Sequence, residues 1–159
     1  MIETALAYTF PAAFALLPGV MDSPEARALL LAIGMQESGF RARRQIRGPA
    51  RGFWQFEQTG GTAAVLAHEA SRPHAAHVCT ELLYPPTAAA CYPALEHNDV
   101  LACCFARLLL WTLPDRLAQR GQPERAWAQY LAAWRPGTPR EATWPDYVRQ
   151  AWHLVETDA

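Results

Sequence analysis

The 159-residue chain has no excess charge of either sign, its formal net charge being -1. That rules out a global basic field of the kind non-specific nucleic-acid binding needs, so no nucleic-acid partner is expected. No run approaches the roughly eighteen uninterrupted apolar residues of a membrane span, which predicts no membrane insertion. Met1 to Val20 are apolar but lack a basic start, are interrupted by Pro11 and Pro18, and end without a small-x-small cleavage site. They do not read as a signal peptide, and cytoplasmic synthesis is expected. Phosphate-cradling glycine loops and the G-x-S-x-G elbow are both missing, which disfavours nucleotide and serine-nucleophile chemistry. Nothing in the sequence repeats.

Cysteine is scarce, with only Cys79, Cys91, Cys103 and Cys104. Without an export signal they read as free thiols packed in a core. Metal ligation is the sharper alternative, because His74, His77, Cys79, Cys91 and His97 lie close in sequence. No C-x-x-C or H-x-x-x-H pair supports it, so no metal and no cofactor is predicted.

What is present is a globular composition, 51% apolar and 18% charged, long enough for a single domain over residues 1–159. Proline and glycine punctuate helical stretches. The first clear helix begins after Asp22-Ser23, with Pro24 in its first turn and Asp22 with Glu25 resembling a capping box. It is expected to end at Glu37-Ser38-Gly39. Further helices are predicted at Thr62 to Glu69, His74 to Tyr84, Asp99 to Thr112 behind an Asn98 cap, Pro123 to Trp134, and Pro145 to Val155 behind Thr143. The Asp99 helix is apolar nearly all round and is therefore expected at the centre. Only short pieces around Gln45 to Phe56 read as strand, so the fold class is mainly α with at most a minor β-hairpin.

The segment from Ile33 to Phe56 carries the chemistry: I-G-M-Q-E-S-G-F, an arginine-rich loop, then G-P-A-R-G-F-W-Q-F. Glu37-Ser38 at a helix end and Gly52-Phe53-Trp54-Gln55 after it resemble two motifs of the lysozyme-like superfamily, in particular lytic transglycosylases and goose-type lysozymes. The resemblance implies a lysozyme-like helical domain that cleaves peptidoglycan glycan strands. It makes Glu37 the catalytic acid, Ser38 a groove residue, and Gln55 a contact to the sugar N-acetyl group. Ala128-Gln129-Tyr130 is similar to a third family element and places Tyr130 near the acid as a candidate substrate-binding residue whose ring could stack on a sugar, although Leu131 stands where many relatives have Asn. The closing Tyr147-Val148 element is also similar. Taken together, G-F-W-Q-F-E and the W-R-P-G turn resemble small lysozyme-like proteins of phages and prophages. That implies release to the cell wall by a phage-made lesion, or carriage in the virion with virion proteins as partners.

Elementary chemistry points to Glu37 independently. A glycosidic oxygen leaves poorly unless a carboxylic acid still protonated near neutral pH delivers a proton to it. A carboxyl in the last turn of an apolar helix meets the negative end of the dipole and apolar neighbours such as Phe40 and Phe53, and both disfavour its ionisation. Arg41, Arg43, Arg44, Arg47 and Arg51 would oppose this if they reached the acid. They are expected to point outward along the groove, where peptide-stem carboxylates could meet them, or simply to form a solvated basic loop. Glu57 is the candidate second carboxylate, while Asp99 has a capping explanation. Trp54 is expected to line the groove. Hydrolysis and transglycosylation remain open, as does a non-catalytic virion or accessory protein that keeps the fold to bind glycan or serve assembly.

Overall fold

The computed structural model describes residues 1–158, and within them the protein is mainly helical with no sheet. In chain order the α-helices are α1 Ile2–Thr4, α2 Phe10–Ala15, α3 Pro24–Glu37, α4 Ala63–Ala67, α5 Arg72–Glu81, α6 Ala88–His97, α7 Asp99–Trp111, α8 Pro123–Trp134 and α9 Trp144–Thr157. The strand-like pieces near Gln45 to Phe56 reduce to two isolated bridges, Arg44 with Arg51 and Arg51 with Phe56. No helix among the described residues is long and apolar enough to cross a membrane.

Helix α7 is the hub. Every residue from Leu101 to Leu110 is buried, including Arg107, and α2, α3, α4, α5, α6 and α8 all touch it. Its N-cap is Asn98, whose side chain accepts from the Leu101 amide at 3.0 Å. Helix α3 lies mainly against α9. The buried residues of α9, Trp144, Val148, Ala151 and Val155, recur every three to four positions, and this is the stripe that seats it.

Two helical regions escape the periodic reading because proline interrupts them. Residues 2–15 are helical with a π turn at Ala5–Thr9 just before Pro11, where the missing N–H would otherwise leave a gap in a regular ladder. Helix α6 carries Pro93 in its interior and is started by Thr87, which accepts from the Ala90 amide. The predicted capping box at α3 is also replaced. Ser23 is the cap, accepting from the Ala26 amide at 3.1 Å, while Asp22 pairs with Arg27 at 2.7 Å. At α9, Thr143 occupies the N-cap position but makes no capping bond, its hydroxyl donating instead to Gln36.

The thiols all lie in the core, with Cys79 and Cys91 Sγ atoms 3.5 Å apart. No group of three or more potential metal ligands comes together among the described residues.

Candidate functional site

The last turn of α3 is built to receive an aromatic side chain. Gly34 costs the helix about 1 kcal/mol relative to alanine. A Cβ there would lie 2.3 Å from the Phe40 ring, so its absence lets that ring lie directly on the helix. Phe40 follows the helix stop in left-handed backbone, φ 53°, which disfavours a bulky residue unless its surroundings hold it. They do: Phe40 is buried against Phe53 at 5.3 Å and Trp54 at 5.6 Å between ring centres. Its amide also donates to the Ser38 hydroxyl.

Ser38 in turn fastens the helix end to the following loop, its hydroxyl donating to the Phe53 carbonyl at 2.7 Å. Its oxygen is therefore committed to the scaffold, tying the end of α3 beside Glu37 to Phe40 and Phe53. Gly52 opens the turn that it grips. With φ 74°, and with a Cβ that would fall 2.7 Å from the Leu95 carbonyl oxygen, position 52 excludes other residues on two separate counts. Gln55 closes the same turn in left-handed backbone, its side-chain Nε2 donating to the Gly52 carbonyl at 2.8 Å and its backbone N–H at 3.1 Å. The Glu37-Ser38 and Gly52–Gln55 elements, fifteen residues apart in sequence at Ser38 and Phe53, are thus joined directly.

Glu37 itself is half-buried at the end of α3. Its Oε1 accepts from the Tyr130 hydroxyl at 2.5 Å. Its Oε2 takes no hydrogen bond from the described residues and is not sealed from solvent. Burial raises the carboxyl above its usual pKa; the Tyr130 hydrogen bond and the charge of Arg140 pull it back only in part. Burial and the adjacent carboxylate push the Tyr130 hydroxyl upward, so it keeps its proton and remains a donor. The Tyr130 ring is buried and fixed by stacking on Trp144 at 5.1 Å, with Trp127 and Trp134 beside it, so it does not offer the expected stacking face to a sugar.

A further latch, with no precedent in the sequence reading, holds this end of α3. Arg140 Nη2 donates to the Gln36 carbonyl at 2.7 Å, and Gln36 Nε2 donates back to the Arg140 carbonyl at 2.9 Å. Gln36 is buried and Arg140 exposed, so the 135–143 loop is clipped to the helix with a cation left near the acid. Periodicity gives no sign of a pair 104 residues apart.

Several expected groove residues lie elsewhere. Trp54 is fully buried: its indole donates to the Leu30 carbonyl at 2.8 Å and its own carbonyl accepts from Trp134, so it belongs to the core and cannot stack on a sugar. Of the arginines, Arg43 pairs with Asp99 through two bonds of 2.8 and 2.6 Å and lies over the Phe53 ring. Arg44 and Arg51 both reach Glu96. These three tie the loop to α6 and α7, which leaves only Arg41 and Arg47 of that set exposed without an ion pair among the described residues. Asp99, in the first turn of α7, is therefore an arginine partner, while Asn98 does the capping. Glu57 is exposed just before the Gln58–Thr62 turn, makes no capping bond, and is not among the groups acting on Glu37.

Two surface clefts flank α3, neither of them lined by Glu37. One, of about 530 Å³, lies beside Gly39, Phe40 and Arg41; the other, of about 540 Å³, lies at the opposite end of α3. Compared with protein-family models, curated proteins and solved structures, the chain finds no match.

Proposed function

We propose that the protein is a lysozyme-like glycosidase that cleaves peptidoglycan glycan strands with Glu37 as its single catalytic carboxyl. The observation that carries this reading is the state of Glu37: one oxygen bonded to the buried Tyr130 hydroxyl, the other open, and the proton held by burial above the usual carboxylate range. A carboxyl in that condition delivers its proton from Oε2 to the glycosidic oxygen as the bond to the sugar carbon breaks. The resulting carboxylate, steadied by Tyr130 and Arg140, then takes a proton back. If that proton comes from a hydroxyl of the same sugar, an anhydro end results; if it comes from water, a reducing end results. Gln55, in the turn fastened to Ser38, is the candidate contact for the N-acetyl group. Tyr130 positions the acid through its hydroxyl, since its ring is buried.

A one-carboxylate mechanism fits the surroundings better than a paired one. A retaining pair needs its second carboxyl about 5 Å from the first. The groups acting on Glu37 are a phenol and a guanidinium, with no carboxylate among them.

The test is incubation with purified peptidoglycan and mass spectrometry of the released muropeptides. Glu37→Gln is expected to lower release by about 10²- to 10⁴-fold, the usual worth of a general acid. Release unchanged by that substitution removes the assignment. Anhydro or reducing ends in the products decide between transglycosylation and hydrolysis.

The second reading is a non-catalytic virion or accessory protein that binds glycan or serves assembly. It is favoured by Leu131 in place of Asn beside Tyr130. Retention on peptidoglycan without product release would support it.

A further inference from the structure

Arg107 is a cation without a counter-ion in the middle of α7. Only 4% of it is exposed. Its Nε donates to the Met21 carbonyl at 2.8 Å, but Nη1 is sealed from solvent with no partner. Nη2 likewise takes no hydrogen bond from the described residues, though it is not sealed. The nearest carboxylate acting on it, Asp22, is already engaged by both arms of Arg27. Burial accordingly pushes the guanidinium down to about 10. A buried charge left in this condition is costly, and groups of this kind are normally completed by a partner or a bound species.

The side chain forms part of the wall of the cleft of about 540 Å³ between the start of α3, the end of α7 and the 113–119 loop. Leu110, Trp111 and Leu117 supply apolar wall, with the Trp111 ring 5.2 Å from the Arg107 guanidinium carbon. Glu25 and Asp115 lie at the same cleft, partly offset by the exposed Arg116.

We infer that this cleft is a binding site for a small carboxylate carried on a short aliphatic stem, with Arg107 as its anchor. A carboxylate oxygen can accept a charge-assisted hydrogen bond from Nη2, the one arm of the guanidinium that is neither bonded nor sealed. It brings a single negative charge against Glu25 and Asp115, where a phosphate dianion would bring two. The stem lies on Leu110, Trp111 and Leu117. The site stands about 20 Å from Glu37 along α3, at 1.5 Å per residue, so it is independent of the glycan-cleaving reading.

The test is titration of the whole ¹⁵N-labelled protein with isocaproate, its neutral isostere isocaproamide, and inorganic phosphate, followed by two-dimensional NMR. Isocaproate is expected to give saturable shifts confined to the Trp111 indole and the amides around Ser23, Leu110 and Leu117, with half-saturation on the order of 1 mM, a weak small-ligand affinity. Arg107→Met is expected to weaken binding about tenfold or more by removing the charged partner. Leu117→Trp, which fills the cleft and leaves Arg107 intact, is expected to abolish binding and keeps the test decisive if Arg107→Met fails to fold. No saturable shift with isocaproate, equal shifts with the amide, or tighter binding of phosphate would each overturn the inference.

Discussion

Beside each end of α3 lies an ionisable group drawn out of water, the half-buried Glu37 at one and Arg107 of α7 at the other, and their surroundings treat them in opposite ways. At the C-terminal end Glu37 has a phenol fixed on one oxygen, a guanidinium nearby, and a scaffold of Ser38, Gly52 and the Gln36–Arg140 clip around it. At the N-terminal end Arg107 has one carbonyl partner and a cleft. On the proposed function Glu37 changes protonation during the reaction and so needs its surroundings fixed, because a shift of even 1 Å in a reacting group is expensive. On the binding-site inference, Arg107 only has to meet an anion and can instead be left with Nη2 open for the ligand to fill. The contrast between a completed site and an open one is what the two ends teach.

The sharpest way to break this contrast is through Gly52. An alanine there meets both a left-handed backbone penalty and the Leu95 carbonyl, and backbone cannot swing aside as a side-chain tip can. Gly52→Ala is expected to cost about 2–4 kcal/mol in denaturant unfolding, from strain and overpacking together. It is expected to shift NMR signals around Ser38, Phe53 and Gln55 while leaving those of Leu110 and Leu117 in place. Equal disturbance at both ends would mean that they are not separate structures.

Next in size is Tyr130→Phe, which keeps the stacked ring and removes the hydroxyl. Loss of one hydrogen bond to a charged group, worth about 1.5–3 kcal/mol, is expected to lower muropeptide release by roughly tenfold or more. The direction of the pH effect is fixed. The Tyr130 bond holds the Glu37 pKa down, so without it the pKa rises. The acid then keeps its proton to higher pH, and the basic limb of the activity profile moves upward. A basic limb that moves downward or stays put would remove Tyr130 from the acid's immediate control.

Smaller again is Ser38→Ala, which deletes the fastener to Phe53 and leaves that carbonyl and the Phe40 amide to find other partners. The expected loss is about 1–2 kcal/mol. Activity is expected to fall by a similar factor without a change in pH profile, because Ser38 acts on position alone.

How far these features are legible in sequence follows from the range of the interactions that make them. Helices α3, α7, α8 and α9 announce themselves through Pro24, Asn98, Pro123 and Pro145, because caps and first-turn prolines act within one turn of the chain. Residues 2–15 and α6 do not, since Pro11 and Pro93 read as breaks until a π turn or tertiary packing absorbs them. At the site, Tyr130 donates to Glu37 across 93 residues of sequence, a pairing that helix periodicity alone does not reveal, and Trp54 turns inward. An aromatic flanked by Phe53 and Phe56 reads the same whether it lines a groove or fills a core, and only three-dimensional packing decides. Arg43, Arg44 and Arg51 look like a basic surface loop because their partners, Asp99 and Glu96, lie some fifty residues away. Arg107, inside an apolar helix, is visible as an oddity in the sequence, but its missing partner is not.

The smallest expected effect concerns stability and has the most constrained sign. Because burial raises the Glu37 pKa above its unfolded value, the native state binds more protons than the unfolded state between the two pKa values. Stability therefore falls as pH rises through that interval, and above it the native state carries the full cost of a buried carboxylate. Glu37→Gln keeps an oxygen to accept from Tyr130 but has no charge to bury. The variant is thus expected to melt a few degrees higher than the parent at neutral pH, about what 1 kcal/mol produces in a domain of this size. Below about pH 4, where the unfolded carboxyl is also protonated, the two proteins are expected to converge. A thermal unfolding series across that range tests the point without any substrate. A variant that melts lower than the parent at neutral pH would mean that the ionised carboxyl is a net stabiliser, and the contrast with Arg107 would then rest on scaffolding alone.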